Sequence, residues 1–122
     1  MESILVTIKK MLGMEANYTH FDTDVIVNIN TAIMTLTQLG VGPPNGYYIA
    51  GSEDAWLDFI ADATDLEGIK SYIYLKVRLL FDPPTSAFVL TAMENQIKEL
   101  EWRIRVNSEE SKDIEEGEYG GK

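Results

Sequence analysis

Residues 3–12 place Ile4, Leu5, Ile8, Met11 and Leu12 on one face at helical spacing, and Gly13 supplies a stop. A second apolar series, Val25 or Ile26, Ile29, Ile33, Leu36 and Leu39, predicts a helix that ends before Gly40. Asp22 and Thr23 are both competent caps for its start. Its β-branched residues, from Val25 to Thr37, favour a strand on propensity alone; the length and the stripe favour a helix. Residues 40–52 hold four glycines and two prolines, with a turn signal at Asn45-Gly46, so no regular element fits there. A loop of that size in a small domain is functional or mobile. Ser52 is placed to cap a short helix carrying Trp56, Leu57, Phe59 and Ile60.

The second half is organised around one corner. Thr64-Asp65-Leu66-Glu67 reads as a capping box, and the helix it opens carries Leu66, Ile69, Ile73, Val77 and Leu80 as an inner stripe. Tyr72, Tyr74, Leu75 and Leu79 make that helix apolar on further faces, which predicts a central position. Phe81-Asp82-Pro83-Pro84 ends it, because Pro83 lacks a donor and forbids the helical region to Asp82. Thr85 or Ser86 then caps a last helix with Val89, Met93, Ile97, Leu100 and Ile104 as its seam, reaching about Val106. The expected fold is all-α: a small bundle of four to five helices with a long C-terminal αα-hairpin, formed by residues 1–106. Residues 107–122 are polar and acidic and are expected to be a flexible tail, disordered when free.

Composition narrows the function. The 122 residues carry a net charge of −10, and a surface of that sign repels a phosphate backbone, which argues against tight nucleic-acid binding. There is no cysteine, so a disulfide framework and a thiolate zinc site are excluded. No run approaches membrane-spanning length, and Lys9 and Lys10 follow the first apolar residues in the reverse of a secretory signal's order.

Candidate chemistry is sparse. His20-Phe21-Asp22-Thr23-Asp24 has metal-ligand residue types, yet acidic residues in a first helical turn serve the helix end more simply. The loop 40–52 lacks the Gly-Lys-Ser/Thr ending of a phosphate cradle. Asp54, Asp58 and Asp62 recur every four residues, the habit of a solvated face. No catalytic constellation, metal site or cofactor site emerges.

Trp102 lies about 200° around its helix from Leu100, on the polar side, with Arg103 and Arg105 close in sequence. It either packs beneath a loop such as 47–49 or anchors an interface. Tyr74, Arg78 and Leu79 offer a second surface on the central helix, and two apolar faces on one small domain favour assembly.

The run Tyr74-Leu75-Lys76-Val77-Arg78-Leu79-Leu80-Phe81-Asp82-Pro83-Pro84, with Ser86-Ala87-Phe88-Val89 and Ile97-Lys98-Glu99-Leu100-Glu101-Trp102-Arg103-Ile104 after it, resembles the head-tail connector (adaptor) proteins of tailed phages. Ile4-Leu5, Ile8 to Gly13 and Tyr18 to Asp24 fit the same family, so the resemblance covers about residues 1–106. It implies a structural protein without enzymatic activity or cofactor. Such a subunit is made in the host cytoplasm and sits in the virion at the head-tail junction. It would form a homo-oligomeric ring, typically a dodecamer, beneath the portal protein. The ring would extend the DNA channel without sequence-specific DNA binding and carry the next head-completion or tail protein. The alternative from composition is a small acidic helical adaptor or inhibitor that binds a host protein.

Overall fold

The computed structural model describes residues 2–61 and 65–120, those after Glu109 by their backbone only. Five helices follow one another: α1 (Ile4–Met11), α2 (Asp22–Gln38), α3 (Trp56–Phe59), α4 (Leu66–Phe81) and α5 (Ala87–Gly120). Among the described residues no strand forms; there is one isolated antiparallel bridge between Ser3 and Ala55.

The predicted stripes become the core. Ile4 and Ile8 of α1, Val25, Ile29, Ile33 and Leu36 of α2, and Ile73 and Val77 of α4 are fully buried. Burying each such side chain is worth roughly 1.5–3 kcal/mol. The β-branched α2 is a helix because this stripe meets α1 on one side and α4 on the other. Thr31 turns its hydroxyl back onto the Val27 carbonyl (3.0 Å), which satisfies the hydroxyl without breaking the helix. As expected, α4 is central and packs against α1, α2 and α5.

Several helix ends differ from the expected ones. Ser3 caps α1, and Gly13 follows it with φ +87°, a conformation suited to glycine. Asp22 does not cap α2; its carboxylate pairs with Lys9 Nζ at 2.8 Å. Lys9 is only 1% exposed and also donates to the Ala16 carbonyl, so a buried charge is matched by a carboxylate and a backbone oxygen. Ser52 does not cap α3. The helix begins after Ala55, whose amide donates to the Asp58 carboxylate at 3.1 Å. Thr64 and Asp62 lie outside the described residues; the α4 N-cap position is Asp65, whose side chain makes no capping bond, and Glu67 pairs with Lys70 instead.

α5 does not end near Val106. Its backbone continues to Gly120, through the segment expected as a flexible tail, and no proline or glycine interrupts the sequence between Val106 and Gly117. The inner stripes of α4 and α5 also stop short of the corner. Leu80 and Val89 flank it and are left partly in solvent, 55% and 43% exposed.

Candidate assembly surface

The loop after α2 is held closely. Asn30, on α2, forms a two-bond clamp with Ile49: its side-chain NH2 donates to the Ile49 carbonyl (3.0 Å) and its oxygen accepts from the Ile49 amide (2.7 Å). Ile49 is thereby buried without losing its backbone partners. The Asp54 carboxylate accepts from the amides of Ala50 and Gly51 (2.7 and 3.1 Å). Asp54 and Asp58 therefore tie down backbone and do not simply line a solvated face. Gly42 has φ +82°, and a Cβ there would lie 2.5 Å from the Phe59 ring, so glycine is required. Tyr47 stacks on Phe59 with ring centroids 5.3 Å apart. Burial, then the carboxylates of Asp54 and Asp58, push its phenol above the ordinary range. The clamped loop and the outer face of α2 enclose an open groove of about 330 Å³, lined by Asn30, Met34, Thr37, Gln38, Tyr47 and Tyr48.

The corner is closed from within α4. Arg78 donates through Nε to the Asp82 carbonyl (2.8 Å) and through Nη1 to the Tyr74 hydroxyl (3.2 Å), so one guanidinium serves the carbonyl just past the helix end and a side chain one turn back. Asp82 has φ −147° and ψ 68°, outside the helical region, as a residue before proline must be. Ser86 accepts from the Val89 amide (3.4 Å) and starts α5. Phe81 meets Phe21 edge-on at 5.4 Å and ties the corner to the start of α2. Tyr74 and Arg78 are thus engaged with each other inside the chain. Leu79 is half-buried and borders an open cavity with Lys76, Glu94, Ile97, Lys98 and Glu101.

Trp102 is 58% exposed, so it is not buried beneath the loop 47–49. It shares a shallow cavity with Leu39, Lys98, Glu101 and Arg105. Arg103 pairs with Glu99 at 3.4 Å on the exposed surface. Beneath this face Tyr72 is fully buried and donates to the Glu101 carboxylate at 2.7 Å. Burial and that carboxylate push the Tyr72 phenol well above its ordinary range.

No cluster of three or more His, Asp or Glu side chains able to hold a metal occurs among the described residues, and Asp22 is committed to Lys9. No helix is long and apolar enough to cross a membrane. What the chain presents is a set of surfaces. The family model of phage connector protein matches residues 4–111. The chain belongs to that family.

A connector is a structural protein and not an enzyme. The family implies a head-tail connector role, assembly with other head or tail proteins, and a place in the virion. No curated protein and no solved structure matches this connector.

The residues that the sequence did not reveal are Asn30, whose partner is 19 positions away, and Phe88, 84% exposed at the start of α5. Phe88 carries a readable signal: one position before the stripe residue Val89, it cannot share that residue's direction.

Proposed function

We propose that this connector is the subunit of a homo-oligomeric ring, a dodecamer, that docks on the portal protein, extends the DNA channel and carries the next head-completion or tail protein. The observation that carries the proposal is the Trp102 face. A tryptophan left mostly in solvent, beside Lys98, Arg103 and Arg105, is the composition of an energetic anchor. Its three cations stand against Glu99 and Glu101, which leaves the face locally positive on a chain of net charge −10 and suited to an acidic patch on a partner. Tyr74, Arg78 and Leu79, with the corner Phe81-Asp82-Pro83-Pro84, form a second surface toward the other end of the α4–α5 hairpin, available to a neighbouring subunit. The negative net charge favours passage of DNA, because a basic lumen would retain phosphates through counterion release.

The test is solution mass by light scattering at low and moderate salt, with and without the portal protein. A ring-sized species, alone or on portal, is expected, and Trp102→Ala should weaken docking while helix content by circular dichroism stays the same. A chain that remains monomeric with portal present refutes the proposal. Unfolding of the isolated Trp102→Ala chain would move Trp102 from the docking face to the core.

A further inference from the structure

The charges of this chain are unevenly placed. From Val25 through Ser52 there is no charged residue, and from Pro83 through Met93 there is none either; these are the two longest uncharged runs in the sequence. The same runs put large apolar side chains into solvent. Val27 and Met34 on the outer face of α2 are 57% and 58% exposed, and Tyr48 on the clamped loop is 73% exposed. In the second run Phe88 and Val89 are 84% and 43% exposed, and Leu80 stands beside them across the corner at 55%.

Such patches are unfavourable on a molecule that stays alone, and at Phe88 and Tyr48, the most exposed of them, a charged side chain would remain in water. Two copies of a chain with net charge −10 repel each other, so the cheapest contact between them uses faces that carry no charge. A ring is built from heterologous contacts, in which one patch meets a different patch on the next copy. The structure offers two patches of unlike shape. One is concave: the groove between α2 and the loop, whose lining includes Met34, Tyr47 and Tyr48. The other is convex, with Phe88 projecting from the first turn of α5 next to the proline corner.

We propose that the α4–α5 corner of one subunit seats in the α2–loop groove of the next, with Phe88 as the inserted side chain and Met34 and Tyr48 as the walls. This rests on the ring reading above and names the partner of the groove as a second copy of this chain. The Asn30 clamp then has a role in assembly, since it fixes Tyr48 relative to Met34 before the neighbour arrives and removes an ordering cost from the contact. The Trp102 face stays free for a different protein.

The chain has no cysteine, which makes the test direct. Met34→Cys and Phe88→Cys are prepared as separate full-length proteins, mixed, assembled (on portal if the wild type needs it) and oxidised. The expected result is a 34–88 cross-linked dimer in large excess over 34–34 and 88–88 dimers, and a chain carrying both substitutions should give a ladder of multimers. Phe88→Glu should reduce assembly at least tenfold while leaving helix content and melting temperature unchanged. Assembly of the wild type without 34–88 cross-links overturns the proposal and leaves the ring reading standing. Predominant 34–34 or 88–88 dimers overturn it too, since they mark a two-fold contact. A wild type that stays monomeric even with portal removes both readings.

Discussion

The connection from Gly40 to Ala55 is long and irregular and is tied down by side chains, whereas the corner from Asp82 to Ser86 is short and leaves apolar side chains in solvent. In the first, order comes from side chains: Asn30 reaches in from α2, and Asp54 folds back from the end of the segment itself. In the second, order is local: the fixed φ of two prolines and a hydrogen bond from Arg78 that closes the helix end. Irregularity therefore does not measure mobility, and a rigid corner does not need a buried one. A corner that holds its shape without partners can present Phe88 to another molecule.

The largest expected effect comes from Asn30→Ala. It leaves a buried amide and carbonyl of Ile49 unpaired and should cost about 3 kcal/mol, read as a lowered denaturation midpoint at unchanged slope. A loss below about 1 kcal/mol would mean that the loop holds itself.

An intermediate effect is expected at high pH. The Tyr72 phenol is raised in the folded chain, so the folded state keeps a proton that the unfolded state gives up near pH 10. Its contribution is complete below about pH 10 and is lost as pH climbs toward the folded value, so stability should fall on the alkaline side. Tyr47 is raised in the same direction and adds to the fall. Unfolding midpoints from about pH 8 to about pH 11 should decline less steeply in Tyr72→Phe than in the wild type; equal slopes would remove the α4–α5 seam from the account.

The smallest effect on folding belongs to the corner. Pro83→Ala combined with Pro84→Ala should cost only about 1 kcal/mol in stability, through a freer unfolded chain, yet impair assembly clearly. Proportional losses in melting temperature and assembly would contradict the distinction between the two connections.

The helices were legible where a stripe had a neighbour to face. The registers of α1 and α2 follow from Ile4, Leu5 and Ile8 and from Val25, Ile29, Ile33 and Leu36. The stripe failed at Leu80 and Val89, because periodicity says which side a residue is on and not whether anything covers it. Tyr72 is as buried as Ile73 because its hydroxyl finds Glu101, a partner 29 positions away that no local pattern announces. Asp22 had the right chemistry for a cap and was claimed by Lys9, a residue whose position beside the α1 stripe gave no hint of burial. Of the candidate assembly surface, Trp102 was visible as an aromatic on a polar face. The groove was not, because it depends on where Asn30 sets the loop.

The first residues of the chain are joined to its middle: the Trp56 amide donates to the Glu2 carbonyl, and the Ile4 amide to the Asp54 carbonyl. Closing so long a segment carries an entropy cost that grows only slowly with length, but it cannot begin until the far end exists. On the ribosome α1 leaves first and is too short to persist as an isolated helix. It waits, unstructured, for α2, the clamped loop and α3 to follow. The α4–α5 hairpin depends on nearer contacts and can form as soon as its own residues are made. α1 therefore has to wait for Asp54 and Trp56, far downstream of it, before it can dock.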